Sequence, residues 1–338
     1  MSEIYSRILG ALLGVAAGDA MGMPTEMWSQ KRIKNRFGKV SEFLPGPPDN
    51  EISAGLAAGE TTDDTIVTVL VAETLLECNG RPDAIKIVKK IEKWAQNNPK
   101  SKTVIGPSTR RAFALIANGT PVEEAGRSGD TNGAAMRISP VGMIADWRDL
   151  PGLVDLVSQV CLPTHNTGTA ISGAAAVAAA VSCAIDGEAS LDVITAAAVD
   201  AARLGSQRGY DVCGASVPER LLFAVELAKH RFSDEEFLYQ LYSLVGTGLP
   251  ANETVPSAFA LMYRAGGDVM TCARLCANVG GDTDTLGAIA CGICGALGGE
   301  KAVPAEISEM LQRVNGYDFA VLAEHLTELR QKYRSDHQ

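Results

Sequence analysis

Two short acidic stretches, far apart in the chain, carry the residue types that bind cations. The first is 61–65 (Thr-Thr-Asp-Asp-Thr) and the second is 280–287 (Gly-Gly-Asp-Thr-Asp-Thr-Leu-Gly), and each directly precedes an apolar run with helical spacing. In an extended loop, Asp282 and Asp284 would point to the same side, with the hydroxyl of Thr285 nearby. Like charges that close raise each other's pKa unless cations neutralise them. If the two stretches face each other, their aspartates predict a site for divalent metal ions.

The chemistry of these side chains narrows the choice of metal. Carboxylate and hydroxyl oxygens favour magnesium, manganese or calcium over zinc or copper. The alternative explanation is helix capping, because Asp, Thr and Ser are preferred N-cap residues and acids in a first helical turn are stabilised by the helix dipole. One cap accounts for one acid, whereas Asp63 adjoins Asp64 and Asp282 lies two residues before Asp284. The doubled acids therefore favour a metal site.

Three other polar segments interrupt the apolar pattern. The run 18–22 (Gly-Asp-Ala-Met-Gly) leads to Glu26 on a stretch interrupted by glycine and proline. In the loop 130–137, backbone amides and Asn132 could cradle a phosphate or a ribose, although an Asn-Gly pair is more often only a turn. His165 is one of 4 histidines and precedes a helical pattern. A lone loop histidine is usually solvated, so by itself it indicates little.

Composition excludes several classes of protein. The 338 residues, of which 46% are hydrophobic and 21% charged, are typical of a globular chain that could form one large domain or two. The 30 basic and 40 acidic residues give a net charge of −10, which repels a nucleic-acid backbone unless a local basic patch compensates. The sequence contains no such patch, so we expect no nucleic-acid partner.

Two apolar runs could be mistaken for targeting or membrane segments. The run 8–17 resembles a signal-peptide core, but Arg7 is the one basic residue before it and is balanced by Glu3. It also continues into the polar run 18–22. The second run, 171–185, is too short and too rich in alanine to span a bilayer. We therefore expect no membrane segment.

Most of the 8 cysteines lie inside helical apolar patterns, where free thiols act as small core residues. This usage predicts a reducing environment and hence the cytoplasm. Cys272, Cys276, Cys291 and Cys294 could in principle form a four-thiolate zinc site. Zinc-binding cysteines usually lie in loops, however, whereas these flank alanine and glycine on predicted helices. We expect core thiols.

The elements that position the acidic stretches are predicted to be helices. Only Val40–Leu44 hints at a strand, and 29–59 has an irregular composition that could form a lid over 61–65. Short Gly/Pro turns and the absence of linker-like composition predict one all-α domain over residues 1–338. The predicted helices are 82–97, 107–118, 151–161, 168–186, 190–204, 218–230, 233–245, 255–265, 268–278, 285–297, 304–314 and 317–332.

In this order, the motifs resemble those of the ADP-ribosylglycohydrolase family, which includes the enzyme that reactivates dinitrogenase reductase. They are Gly-Asp-Ala-x-Gly followed by Glu26, Thr-Thr-Asp-Asp-Thr, Asn-Gly-Ala-Ala-Met-Arg, Thr-His, and Gly-Gly-Asp-Thr-Asp-Thr-Leu-Gly. The match runs from about residue 8 to about residue 298. The resemblance implies a compact, single-domain orthogonal helical bundle with a centre of two Mg²⁺ ions, with Mn²⁺ also possible. It also implies hydrolysis of the bond between the anomeric carbon of a terminal ribose and its attached group.

The same resemblance assigns roles to individual residues. Glu26 matches a mobile carboxylate that touches metal or substrate, and Glu26, Asp63 and Asp284 are expected to be catalytic. Asp284 is also expected to bridge the metals. The implied metal ligands are Thr62, Asp63, Asp64, Asp282, Asp284 and Thr285. The implied contacts to the ADP-ribose part are Asn132, Gly133, Ala134, Met136 and His165. After His165, Asn166 and Thr167 replace a proline-containing sequence of many relatives, which leaves the distal contacts open.

The expected substrate is an ADP-ribosylated protein side chain or an ADP-ribosyl or ribosyl small molecule, cleaved by a monomer or weak homo-oligomer. One alternative is hydrolysis of a nucleoside or another small ribosylated metabolite by the same binuclear metal chemistry. Another is a non-catalytic ADP-ribose-binding relative. Such a relative should have lost acids that this chain retains.

Overall fold

The computed structural model describes residues 2–99 and 101–336, and that part of the chain is built from helices. It contains no β-strand within those residues, only isolated bridges such as the one between Trp28 and Gly281. The predicted all-α class is confirmed. Val40–Leu44 is not a strand: the backbone of Val40 instead exchanges hydrogen bonds of 2.9 and 2.8 Å with the Asn278 side chain.

The helices follow one another through short turns. Single turns of 3₁₀ helix occur at Met23–Thr25, Asn132–Ala134 and Glu300–Ala302, and a π-helical turn occurs at Leu241–Val245. The α-helices are α1 Glu3–Gly22, α2 Gln30–Phe37, α3 Asp63–Glu77, α4 Ala84–Asn97, α5 Ser101–Val104, α6 Pro107–Ala117, α7 Val122–Ala125, α8 Ser139–Ile144, α9 Leu150–Cys161, α10 Gly168–Ile185, α11 Leu191–Gly205, α12 Val217–Lys229, α13 Asp234–Gln240, α14 Ala251–Arg264, α15 Val269–Val279, α16 Thr283–Gly298, α17 Ala305–Asn315 and α18 Phe319–Asp336.

Two departures from the expected helices have local causes. The region 29–59 is not wholly irregular, because α2 forms in it, with Ser29 as its N-cap and Gly38 at its end. Its residues are too polar for an apolar periodicity to show, and one side chain of α2, Ile33, is buried. The predicted helix 233–245 ends as a π-helical turn, which stops at Gly246 with φ of +88°.

Helix α1 is the central element of the fold. Ser2 caps it by accepting a 3.2 Å hydrogen bond from the amide of Tyr5, and from Gly10 to Gly22 every residue is buried. By length and composition alone, the segments Glu3–Thr25 and Gly168–Ile185 could cross a membrane. Their most apolar windows are 100% and 94% buried inside the fold, respectively, as is typical of core helices.

A row of glycines lets α1 touch α16 backbone to backbone. Gly10, Gly14, Gly18 and Gly22 recur every four residues and therefore share one helix face. A Cβ atom added to them would lie 2.3, 2.1, 2.0 and 2.2 Å from the carbonyl oxygens of Gly295, Cys291, Gly287 and Thr283, respectively. As the residue number rises on one helix it falls on the other, so the helices are antiparallel. We call this contact the glycine seam.

The seam fixes where the two acidic stretches lie. Because the helices are antiparallel, the C-terminal end of α1 meets the N-terminal end of α16, which begins at Thr283. On the other face of α16, α15 packs so that Cys272, Cys276, Cys291 and Cys294 are each fully buried. All are free thiols, as expected of core residues. The organisation of residues 1–338 as a single domain stays a prediction.

We expect Gly18→Ala to destabilise the protein by about 3 kcal/mol, because its methyl group would need to push two packed backbones apart. Urea unfolding followed by circular dichroism measures this change. Gly214→Ala is the matched control: its Cβ would meet only the flexible side chain of Asn252 at 3.0 Å and that of Thr169 at 3.6 Å. Equal unfolding midpoints for both variants would contradict the importance of the seam.

Candidate active site

The first acidic stretch forms the N-terminus of α3. Thr62 is its N-cap, and Asp63 and Asp64 occupy the first two helical positions. All three are buried, with Asp63 only 7% exposed. The Thr62 hydroxyl donates to Asp64 Oδ2 at 3.2 Å and accepts a long 3.4 Å bond from the Asp64 amide. The acids therefore stand at the positive end of a helix dipole, which favours their ionised forms.

The second stretch forms the N-terminus of α16. Asp282 is its N-cap but makes no capping bond with its own side chain, and Asp284 follows in the first turn. Gly280 and Gly281 before it have φ of +80° and +83°. A Cβ on Gly281 would lie 2.2 Å from the Thr247 carbonyl oxygen, which also accepts a 2.7 Å bond from the Asp282 amide. These glycines are thus required for the turn that aims the acids.

Glu26 reaches the same place from the end of α1. The next residue, Met27, has an unusual φ of +58°, and its amide donates to the Gly281 carbonyl at 2.7 Å. Asn50 Nδ2 donates to the Glu26 carbonyl at 3.0 Å. Both polar groups of the peptide unit between Glu26 and Met27 are therefore hydrogen-bonded, which anchors the backbone directly after Glu26.

The structure brings the predicted acids together. One carboxylate oxygen from each of Glu26, Asp282 and Asp284 lies within 4.8 Å of the other two. Asp63 and Asp64 line the same narrow cleft, whose cavity is ≈ 30 Å³. The cleft is also lined by Val104, Gly106, Pro107, Thr109, Thr131, Asn132, Gly133, Met136, His165, Leu249 and Thr285.

Unused oxygen atoms show that this cluster fits a cation. Glu26 Oε2, Asp64 Oδ1 and Asp284 Oδ1 are buried and have no hydrogen-bond partner. A buried polar atom without a partner costs roughly 1–3 kcal/mol. Hard oxygen donors from several carboxylates are the ligands that magnesium, manganese and calcium prefer. The residues present therefore fit divalent cations.

The electrostatics agree with this fit. Burial, followed by the charge of Asp282, raises the pKa of Glu26 well above its ordinary value. Burial, followed by the charge of Asp19, likewise raises the pKa values of Asp63 and Asp64. In Asp284 the largest cause is again burial, and the next is Glu26. Without cations, these carboxyls therefore resist ionisation.

Asn132 connects Asp282 to Thr254 and to the backbone of Leu249 by hydrogen bonds. Its Nδ2 donates to Asp282 Oδ2 and, at 2.9 Å, to Thr254 Oγ1. Its backbone amide donates to the Leu249 carbonyl at 2.9 Å. The side chain is therefore held as a positioning group for Asp282, a role that its sequence context did not reveal.

His165 lies in a directional chain of hydrogen bonds. Arg137 Nη2 donates to the Thr164 hydroxyl at 2.7 Å, and that hydroxyl lies 2.7 Å from His165 Nδ1. On the other side, His165 Nε2 lies 3.0 Å from the Thr131 hydroxyl, which is 2.9 Å from Ser108 Oγ. Because a guanidinium only donates, the consistent direction is Thr164 O–H to Nδ1 and Nε2–H to Thr131.

This chain assigns His165 a neutral form. The residue is 1% exposed, and burial, followed by the charges of Arg137 and Arg111, lowers its pKa well below its ordinary value. Gly133 makes room for the ring, since a Cβ there would lie 2.8 Å from His165 Cε1. His165 therefore serves as a fixed neutral wall of the cleft and not as the group that moves a proton.

The cleft includes most of the residues expected from the sequence, but not all. Thr62 is buried beside Asp64 and does not itself line the cleft. Ala134 is fully buried in the hydrophobic core. Asp19 and Arg137 belong to motifs noted in the sequence but were assigned no role of their own, and the segment 104–109 was not singled out. Asp19 had a visible signal, an acid directly after the apolar run 8–17, whereas 104–109 had none.

Comparison with known proteins places this geometry in a family. A family model described as ADP-ribosylglycohydrolase matches residues 1–336. The uncharacterized protein YegU of Escherichia coli (strain K12) is 42% identical over 327 residues, covering 96% of this chain and 98% of that protein. ADP-ribosylhydrolase ARH3 of Homo sapiens is 25% identical over 369 residues, covering 97% and 94%.

A solved structure shows the same architecture. It is named ADP-ribosylglycohydrolase-related protein complex and matches with a TM-score of 0.72 and 27% sequence identity. The match covers 98% of this chain and 100% of the other. Sequence and fold therefore point to the same relatives.

We expect the His165 imidazole to stay neutral as pH falls through about 6.5, where an ordinary histidine gains a proton, because a proton on Nδ1 would break the bond from Thr164. Two-dimensional ¹⁵N NMR of the imidazole ring should show a protonated Nε2 and an unprotonated Nδ1 throughout. The same protein unfolded in urea provides the control, since its histidines should titrate near pH 6.5. A His165 signal that titrates in the folded protein would contradict the assignment.

The raised carboxyl pKa values predict that the metal-free protein becomes less stable as pH rises. Unfolded carboxylates ionise near pH 4, so the stabilisation is complete below that pH and is lost as pH rises through the higher folded pKa values. A bound divalent cation favours the ionised forms and should remove this loss. Calorimetric melting in EDTA and in MgCl₂, at about pH 5 and about pH 8, measures both effects.

Variants make this measurement specific. At a cation concentration a hundredfold above Kd, the stabilisation should be about 2.7 kcal/mol. Asp284→Asn should remove most of it, while Glu42→Gln, the same kind of change at an exposed acid, should keep it. No binding of any divalent cation at millimolar concentration would contradict the metal site.

Proposed function

This chain belongs to the ADP-ribosylglycohydrolase family, and from that premise we propose that it uses bound Mg²⁺ to release ADP-ribose from a modified side chain or small molecule. Its class is that of a hydrolase of glycosidic bonds. The proposed use of Mg²⁺ and the proposed substrate depend on one observation. The acids at the starts of two helices and Glu26 line one cleft, and several of their own buried oxygens lack hydrogen-bond partners. The name of the human relative, ADP-ribosylhydrolase, supports the same substrate class.

The metal would be held by the two helix starts and by Glu26. Asp63 and Asp64 come from α3, and Asp282, Asp284 and Thr285 come from α16. When bound, two Mg²⁺ or Mn²⁺ ions would supply Lewis acidity and an activated water at neutral pH. Five ionised carboxylates and two divalent cations leave a net charge of about −1, and an anionic site favours an oxocarbenium-like transition state.

Glu26 is the residue best placed to move a proton. Its Oε2 is buried without a partner, and burial, followed by the charge of Asp282, raises the pKa of this carboxyl, which favours a group that can take up a proton. The anchored backbone keeps that oxygen within reach of the other acids. His165 is excluded from this role because both ring nitrogens are occupied.

The other residues that line the cleft position the acids or enclose the space beside them. Asn132 holds Asp282 by a charge-assisted hydrogen bond, which fixes the direction of that carboxylate. Val104, Gly106, Pro107 and Thr109 line the same cleft as the acids.

One observation favours a second candidate, hydrolysis of a smaller ribosylated compound such as a nucleoside. Among the described residues that line the cleft there is no Phe, Tyr or Trp on which an adenine ring could stack. A panel of ADP-ribosyl-arginine, ADP-ribosyl-serine, O-acetyl-ADP-ribose and nucleosides, each with MgCl₂, separates the two candidates. Turnover of none of them would contradict the proposed function.

We also propose a cytoplasmic location. All 8 cysteines are free thiols, which is typical of a reducing compartment. Fractionation of the source cells tests this directly.

We expect Glu26→Gln to lower kcat by roughly a hundredfold to ten-thousandfold while ADP-ribose binding stays near normal, because glutamine keeps the volume but cannot exchange a proton. Asp284→Asn should lose binding and turnover together, since Asp284 would hold the cations on which both depend. Titration calorimetry with ADP-ribose and turnover of the best substrate measure both quantities.

Glu42→Gln again serves as the matched control, because Glu42 is exposed. Wild-type kcat in Glu26→Gln would disprove its role in proton transfer. Equal loss of binding in the Glu26 and Asp284 variants would reduce Glu26 to one more metal ligand.

A further inference from the structure

An acid outside the cleft is bound tightly to the start of α3. Asp19 lies on α1, is fully buried, and is the one charged residue of the buried stretch from Gly10 to Gly22. An ionisable group in such a place is costly unless its oxygens are fully hydrogen-bonded. It does not line the cleft, so the proposed chemistry does not account for it.

The partners of Asp19 are the donors of a helix N-terminus. Its Oδ1 accepts from the Thr62 amide at 2.9 Å, and its Oδ2 accepts from the Thr65 amide at 3.0 Å. The Thr65 hydroxyl donates to Oδ2 at 2.6 Å. Thr65 is the third residue of α3, whose amide is the usual target of an N-cap side chain. Asp19 therefore caps α3 from a different helix.

Because a residue of α1 caps α3, the first side chains of α3 are not needed as caps. In an ordinary capping box, side chains of the N-cap and the first turn bond back to the helix amides. Here Asp19 satisfies the amide that Thr62 would normally cap, and the Thr62 hydroxyl accepts the 3.4 Å bond from the Asp64 amide and donates to Asp64 Oδ2 at 3.2 Å. Asp64 Oδ1 is buried and without a partner, on a residue that lines the cleft.

Asp19 is itself unsuited to be a ligand. Both of its oxygens are engaged by donors, in contrast to Glu26, Asp64 and Asp284, which each have an oxygen with no partner. Its place on α1 is fixed by the glycine seam, since Gly18 and Gly22 touch the backbone of α16 on either side of it. The residue thus connects the seam rigidly to the α3 acids.

We propose that Asp19 is a positioning residue that caps α3 from α1 and so leaves Asp63 and Asp64 free to bind the divalent cations. This inference rests on the cation site of the proposed function. Replacing Asp19 should weaken cation binding although no ligand is removed. Loss of a group that orients metal ligands typically lowers metal affinity tenfold to a hundredfold.

The test uses metal-free full-length protein and Mn²⁺ as the probe. For Asp19→Asn we expect Mn²⁺ affinity, measured by titration calorimetry, to fall by about tenfold or more. Hydrogen exchange should show faster exchange of the Thr62 and Thr65 amides in the same variant. Thr74→Val is the matched control, because it removes a buried hydroxyl of α3 that bonds only within the helix, to the Leu70 carbonyl at 2.8 Å.

Thr65→Val covers the case in which Asp19→Asn does not fold. It removes the hydroxyl bond to Asp19 and keeps both amide bonds, so Mn²⁺ affinity should fall less, by roughly threefold, and Thr62 should stay protected. Unchanged Mn²⁺ affinity in folded Asp19→Asn, or an equal loss in Thr74→Val, would overturn the positioning role. If the wild type binds no Mn²⁺, the proposed metal centre fails, and unchanged amide exchange in Asp19→Asn would separately refute the cap.

Discussion

The contact on which the site depends is the glycine seam between α1 and α16. Glycine inside a helix costs about 1 kcal/mol relative to alanine, and Gly10, Gly14, Gly18 and Gly22 all lie inside α1. Close approach of two backbones gives dispersion contact that bulkier residues would prevent. The seam also fixes how α1 is rotated and shifted along its axis relative to α16. It thereby fixes the position of Glu26 relative to Asp282.

Burying several acids in one cleft makes this centre a source of instability unless cations are present. Their ionised forms are disfavoured by burial and by one another, as the raised pKa values of Glu26, Asp63 and Asp284 show. Two helix N-termini partly offset this cost through their dipoles and amides. The seam, the Gly280–Gly281 turn and the cap from Asp19 hold the acids together against that repulsion. Packing elsewhere in the fold therefore offsets the free-energy cost of burying these acids together.

The part of the cleft that contains His165 is held by a chain of hydrogen bonds. Arg137 is 1% exposed, and burial lowers its pKa to about 10, yet its donors set the direction of the chain through Thr164, His165 and Thr131. A fully connected polar chain fixes side chains more strictly than apolar contacts do. His165 and its hydroxyl partners therefore offer the cleft a fixed set of donors and acceptors.

The sequence by itself determined the helical class, the two acidic stretches and the type of metal that their oxygens would bind. These follow from local rules: helical periodicity, N-cap preferences and the hardness of oxygen ligands. It also showed the Gly280–Gly281 turn, because glycine pairs before an acidic helix start are visible in any window. The order of the motifs along the chain resembles that of a family, and this resemblance predicted that Glu26, Asn132 and His165 also belong to the site.

Only the tertiary structure decided which residues meet. The four-residue repeat of glycines in α1 is local, but its partner on α16 is not, since pairing between helices far apart in the chain depends on the whole fold. The cap from Asp19 to Thr65, the bond from Asn132 to Asp282 and the cleft wall at 104–109 likewise join distant segments. Ala134 shows the converse: its motif placed it near a substrate, yet packing placed it in the core. Spacing along the chain determines which face a side chain occupies, whereas only packing determines what that face touches.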